Sequence, residues 1–330
     1  MKKEPSEPKW HHYVPVTYLK HFCDSTGTLM VHRKAANFAA RRLRPKDIAA
    51  AHDFYSWPRD DGTIDRASFE RIFDRFAEVD WNGLVNKFQR QETLDDADLE
   101  PVATFICLQH ARVPAVRDAI ESRLSASVME ELRRLHMNGN LPPLPAELRS
   151  IDDLVAPIDP STSLEALEHS MDAAQRAMNR VTFRVVHNRA DEEFLTSDNP
   201  VIWFDPSRVR TPSFSPYVLS PDGPTTFLVT ISPTICLVGR SGDQGFGWDA
   251  VEATDNSTVS FINEMVAAFA HEWVFSRNHD ATCYVDRHRH ISPVMEHKRF
   301  QLPDGTEHFR WQWAFGARSK KPKWQRPKPF

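Results

Sequence analysis

Between residues 66 and 90 apolar side chains return at steps of mostly three and four: Phe69, Ile72, Phe73, Phe76, Val79, Leu84, Val85 and Phe88. That period is the turn of an α-helix, so the stretch is predicted to be a helix with one buried stripe. Asp65, Glu70 and Asp74 lie toward its start, where the helix dipole favours negative charge. A second helical stretch opens near Asp95-Asp96 and carries Val102, Phe105, Ile106 and Leu108. Pro114 should kink or end it, because proline has no N–H to give and crowds the preceding turn, and a third helix is predicted over about 115–137. Thr162 and Glu165 have the spacing of a capping box, opening a helix to about Arg180. Ahead of all these, Pro15 suits the first turn of a short helix whose Tyr18, Leu19 and Phe22 share an apolar face. Gly27 marks a turn, and Leu29-Met30-Val31 reads as a short strand.

After Arg180 the pattern changes to short apolar runs: 181–186, 201–204, 226–231 and 235–238 all read as strands. Asp255 can cap a long helix to about Arg277 that buries Phe261, Ile262, Met265, Phe269 and Trp273, and Thr282–Val285 reads as a last strand. Helices first and strands afterwards predict an α+β fold, with a helical N-terminal half packed on a mixed, mainly antiparallel sheet in the C-terminal half. Residues 1–9 are expected to be a flexible N-terminus and 10–290 a single domain. A breaker-rich loop, Asn138-Gly139-Asn140-Leu141-Pro142-Pro143, marks a sub-boundary within 138–160. Residues 291–330 form a C-terminal extension ending in a basic tail.

With 41% hydrophobic and 26% charged residues, 330 residues can bury a sizeable core without staples. A net charge of −4 sets up no global attraction to nucleic acid or to an acidic membrane. Cys23, Cys107, Cys236 and Cys283 are far apart, which excludes a zinc knuckle or redox pair and favours buried, reduced thiols. No leader pattern and no long apolar run is visible, so a cytoplasmic protein without a membrane partner is expected. No Gly-rich phosphate loop occurs, so no nucleotide cofactor motif is present.

Four segments carry a family resemblance. They are His11-His12-Tyr13-Val14-Pro15 followed by Tyr18-Leu19 and Phe22; Gln109 and Arg112 followed by Pro114; Thr196-Ser197-Asp198-Asn199-Pro200; and Ile231-Ser232-Pro233. In this order they resemble the bacterial domain-of-unknown-function family numbered 4238, over roughly residues 10–280. The family's frequent Leu-Ser-Pro is Ile231-Ser232-Pro233 here. The resemblance brings no assigned activity with it.

Read as chemistry, His11 and His12 supply imidazoles suited to proton transfer near neutral pH. Gln109 and Arg112 lie three apart on one helix face and suit a phosphate or carboxylate. Asp198, flanked by Ser197 and Asn199 between two strands, suits an orienting carboxylate or metal ligand. Together they would suit phosphodiester hydrolysis, a nuclease-like defence or toxin effector, with a divalent metal as one option and the metal otherwise unknown. Equally they would suit a non-catalytic module for an anionic ligand or a protein partner. A third reading is architectural: Asx-turn chemistry at Asp198 and Asn199, closed by Pro200, and an Arg112–Asp198 ion pair tying helix to sheet. His288-Arg289-His290, with His271, His279 and His297 near by, lacks the spacing of a metal site and reads as a solvated basic loop. Six of the last thirteen residues are Lys or Arg. With Trp324 among them, Lys320, Lys321, Lys323 and Arg326 are candidates for nucleic-acid contact.

Overall fold

The computed structural model describes residues 9–318 apart from 36, 60–62, 67, 69–79, 146–147, 155, 220–222, 242–246, 249–251, 279 and 304–306. Six short strands come first: β1 (Trp10–His12), β2 (Leu29–Arg33), β3 (Arg41–Leu43), β4 (Ala50–His52), β5 (Trp57–Pro58) and β6 (Ile64–Asp65). Helix α1 (Val16–Lys20) follows the first of them. Next come α2 (Trp81–Arg90), α3 (Leu99–Arg112), α4 (Pro114–Met137), α5 (Pro160–Glu165) and α6 (Leu167–Met178). Then β7 (Val181–Asn188), β8 (Thr196–Ser197), β9 (Val201–Phe204), β10 (Thr226–Ser232), β11 (Ile235–Ser241), β12 (Gly247–Trp248) and β13 (Glu252–Thr254) lead into α7 (Asn256–Phe269). Strand β14 (Trp273–Ser276), helix α8 (Thr282–Arg287) and the strands β15 (Ser292–Gln301) and β16 (Glu307–Gly316) complete the chain.

Helices and antiparallel sheets make the fold α+β, but strands occur along the whole chain, and six precede the long helices. Most of those six are two or three residues long, too short for an alternating pattern to show. Pro114 acts as expected. Val113 is extended, as a residue before proline prefers, and Pro114 takes the first helical position of α4. Asp255 caps α7 by accepting the Thr258 N–H at 2.9 Å. Of the predicted 66–90 helix, α2 is described, capped by Asp80 accepting from the Gly83 N–H at 2.8 Å. Phe69, Ile72, Phe73, Phe76 and Val79 lie outside the described residues.

Three elements differ from expectation. The helix assigned to a Thr162 capping box starts at Pro160, because the Asp159 side chain already accepts from the Ser161 N–H. Helix α7 ends at Phe269 rather than near Arg277, since Ala270 turns extended and the chain enters β14. Thr282–Val285 is helical: the Asp280 carboxylate captures the Thr282 N–H at 3.0 Å and starts a helical turn. The four cysteines are unpaired. Cys107 and Cys236 are buried and Cys23 is half-buried, whereas Cys283 is exposed.

The main sheet has the order β12-β7-β11-β10-β9, with β13 also on β7; β12 and β13 run parallel to β7 and the other pairs are antiparallel. Consecutive strand residues face opposite ways, and β9 shows both faces. Trp203 meets His110 of α3 at 4.4 Å between ring centroids, while Phe204 meets Phe261 and Phe269 of α7. The sheet is therefore sandwiched between α3 and α7. A second sheet, β3-β2-β14-β8, joins the first 43 residues to the far end of the chain. Tyr18 locks the two sheets together: its hydroxyl lies 2.6 Å from Thr196 Oγ1 on β8 and donates to the Thr230 carbonyl on β10 at 2.5 Å. No described helix is long and apolar enough to cross a membrane.

Candidate functional site

The Gln109–Arg112 pair sits on the last turn of α3, and both side chains are buried. Gln109 Nε2 donates to the Tyr13 carbonyl at 2.9 Å, and Arg112 Nη2 donates to the His12 carbonyl. The pair thus holds main-chain oxygens of the His-His-Tyr-Val-Pro segment. Tyr55 binds the same junction from below. Its hydroxyl donates to the Arg112 carbonyl at 2.8 Å, its ring lies under the Arg112 guanidinium at 5.9 Å, and its N–H donates to His11 Nδ1 at 2.9 Å. His11 is fully buried and stacked on Tyr55. His12 is the half-exposed imidazole of the two, with Nε2 3.1 Å from the Lys46 carbonyl.

Gln109→Ala should leave the buried Tyr13 carbonyl without this donor and lower stability by about 1–3 kcal/mol. Urea unfolding checks it. Gln109→Glu, which has the shape but no N–H to give, should lose at least as much.

Asp198 has no exposed surface. Its two carboxylate oxygens accept from three consecutive amides at the entry to β14: His271 at 2.8 Å, Glu272 at 2.7 Å and Trp273 at 2.9 Å. The cation whose charge acts on it is Lys34, not Arg112, which corrects the expected Arg112–Asp198 ion pair. Lys34 is itself buried and donates to the carbonyls of Ala268 (3.2 Å), Ala270 (2.7 Å) and Ile291 (2.9 Å). The 268–273 turn is therefore held from both sides, carbonyls by an ammonium and amides by a carboxylate. Burial pulls the Lys34 ammonium down and pushes the Asp198 carboxyl up, with the opposite charge of each partner resisting both shifts. Asp198 also lies close enough to Tyr13 for its charge, after burial, to raise the Tyr13 hydroxyl. The first two motifs are hydrogen-bonded to each other, and Asp198 reaches them through its charge on Tyr13.

Asn199 donates through Nδ2 to the Tyr217 hydroxyl (2.6 Å) and the Phe269 carbonyl (2.8 Å), while Ser197 Oγ accepts the Asn199 N–H at 3.1 Å. Ser197 and Asn199 are as buried as Asp198. A solvent-borne substrate therefore meets none of the Ser197-Asp198-Asn199 side chains directly. Lys320, Lys321, Lys323, Trp324, Arg326 and His279 lie outside the described residues. Among the described residues no group of three His, Cys, Asp or Glu is placed to hold a metal, and His288 instead sits 2.6 Å from Glu264.

A pattern described as a protein of unknown function (DUF4238) matches residues 10–280. The chain belongs to the DUF4238 family. No curated protein and no solved structure matches it. The four segments that carry the resemblance all lie within the matched region; Gln109 and Arg112 hold main-chain oxygens of the His11–Tyr13 segment, and Asp198 holds main-chain amides of 271–273.

An open site lies elsewhere in the DUF4238 fold. A cavity of about 610 Å³ opens between the α7 face of the main sheet and the start of α7. Its floor is apolar: Val186, Leu228, Val238, Phe204, Phe261 and Ile262. Arg184 and Arg240 stand at its polar end with Thr226, Ser241 and Thr258, and Asp255 closes the helix side. Register places Arg184 opposite Val238 and Arg240 opposite Thr182, so the arginines are diagonal neighbours on one sheet face. The Arg240 side chain makes no hydrogen bond or ion pair among the described residues. The signal in the sequence was Arg184 itself, a cation in the middle of a strand, two residues before Val186.

Proposed function

We propose that this DUF4238 protein is a non-catalytic binding module for an anionic small molecule with an apolar body, seated in the cavity of β7, β11, β10 and α7. The observation that carries this is the pair of guanidinium groups on neighbouring strands at the rim of an apolar floor. The Arg240 guanidinium has forked N–H donors for one carboxylate, sulfonate or phosphate, and the Arg184 charge on the neighbouring strand adds to the attraction. The volume is within the ordinary range of small-molecule sites, about 300–1,000 Å³.

The anionic fluorophore 1-anilinonaphthalene-8-sulfonate is a suitable probe. It should bind the native protein at one saturable site, and Arg240→Gln should weaken it about tenfold, roughly 1.4 kcal/mol. N-phenyl-1-naphthylamine, with the same rings and no sulfonate, should bind both proteins alike. Equal affinity of the sulfonate for both proteins would overturn the reading. The alternative, a nucleic-acid-directed hydrolase using His11, His12 and Asp198 with a Gln109–Arg112 cradle, draws less support, because His11 and Asp198 are withdrawn from solvent. Nucleic-acid cleavage by the wild type, with or without divalent metal, that vanishes in His12→Ala would favour it instead.

A further inference from the structure

The two strands that follow the DUF4238 region pair with each other over ten residues each, from Ser292 opposite Gly316 to Gln301 opposite Glu307. Alternation divides their side chains between two faces. One face turns to the body: His297 stacks on Phe309 and Trp311, Arg299 pairs with Glu130 of α4 at 3.1 Å, and Trp313 packs on Tyr217. The other face carries Lys298 opposite Arg310 and Phe300 opposite His308, all four exposed. The Phe300 and His308 rings lie nearly parallel, 25° apart with centroids at 5.9 Å, and Phe300 is 45% exposed.

The outer face carries two cations, Lys298 and Arg310, against one carboxylate, Glu296, while the whole chain carries −4. Like charges directly opposite on paired strands destabilise the pair. Glu296, 3.4 Å from Lys298, offsets one of them, and Arg310 makes no ion pair among the described residues. Phosphates would neutralise the two cations, and a flat aromatic pair beside them is a platform for an unpaired base. In a duplex the base faces are already stacked, so the platform favours a single strand.

We infer that the outer face of the β15–β16 hairpin, through Lys298, Arg310, Phe300 and His308, binds single-stranded nucleic acid. It is independent of the sheet cavity and uses none of its residues.

The test is fluorescence anisotropy of labelled dT20 and rU20 with the full chain between 50 and 200 mM salt, with a labelled duplex as comparison. Lys298→Gln/Arg310→Gln should weaken binding and reduce the slope of log K against log salt by about 1.4, for two phosphates. Phe300→Leu keeps the bulk and removes the ring; it should weaken single-strand binding about tenfold and leave the slope unchanged. None of these side chains is buried, so the variants should keep the wild-type melting midpoint. The inference is overturned if wild type binds neither strand, if it prefers duplex, or if Phe300→Leu binds like wild type. It is also overturned if only Lys320→Gln/Lys321→Gln/Lys323→Gln loses binding, which would place the contact on the tail alone.

Discussion

Asp198→Ala should lose at least about 5 kcal/mol, enough to unfold many domains outright. Three amides of half-buried residues lose their acceptor, at about 1–3 kcal/mol each, and the buried Lys34 loses its counter-charge. Asp198→Asn keeps one acceptor oxygen but turns an NH2 toward amide donors, so it should fall between wild type and alanine. Lys34→Met removes three donors from the carbonyls of 268, 270 and 291 and leaves Asp198 uncompensated. It should therefore be severely destabilising alone. Combined with Asp198→Asn it should cost less than the sum of the two, by about 1–3 kcal/mol, as groups sharing one network do. Urea denaturation of the four proteins measures this. An Asp198→Ala variant melting within a few degrees of wild type would show that the carboxylate is not the support described above.

Acid should unfold the protein partly through His110. The ring is buried between Trp203 and Tyr217, and burial holds it down at about 3, against 6.5 for an ordinary imidazole. Below pH 6.5 the unfolded chain takes up a proton at this residue and the native chain does not. Stability from the neutral ring is therefore complete above about pH 6.5 and drains as pH falls toward 3, at about 1.4 kcal/mol per unit. Between pH 7 and pH 4.5 the loss is about 2.7 kcal/mol. His110→Leu keeps an apolar ring-sized group and should remove that share of the acid dependence. Its urea midpoint should shift less than that of wild type over the same interval. Parallel pH dependences in the two proteins would refute the assignment.

Elements announced by a residue with a hard constraint were legible in the sequence. Pro114 gave the α3–α4 break and Asp255 the start of α7, since a missing N–H and a capping carboxylate act locally. What failed was set at long range. Trp273 fits the apolar period of α7, yet the helix stops at Phe269, because Asp198, over seventy residues earlier, captures the amides that follow. One miss was local instead: Thr282–Val285 has strand-like composition, but the Asp280 carboxylate, two residues before Thr282, decides for helix. Gln109 and Arg112 meet the His11–Tyr13 segment, but this use was not readable, because Gln109, Arg112 and Asp198 bind main-chain groups, which carry no side-chain signature. Lys34 gave no signal for the same reason, and His110 was hidden on the helix beside Gln109.

The clamp on the 268–273 turn also has a temporal side. Its ammonium comes from residue 34, its carboxylate from residue 198, and the backbone they grip is not made until residue 273. Strand β2, a strand of the first tenth of the chain, waits for β14 to pair with it. During synthesis β2 can pair with β3 early, but its other edge and the Lys34 side chain stay without their partners until the chain has been made past residue 273, so this sheet closes late.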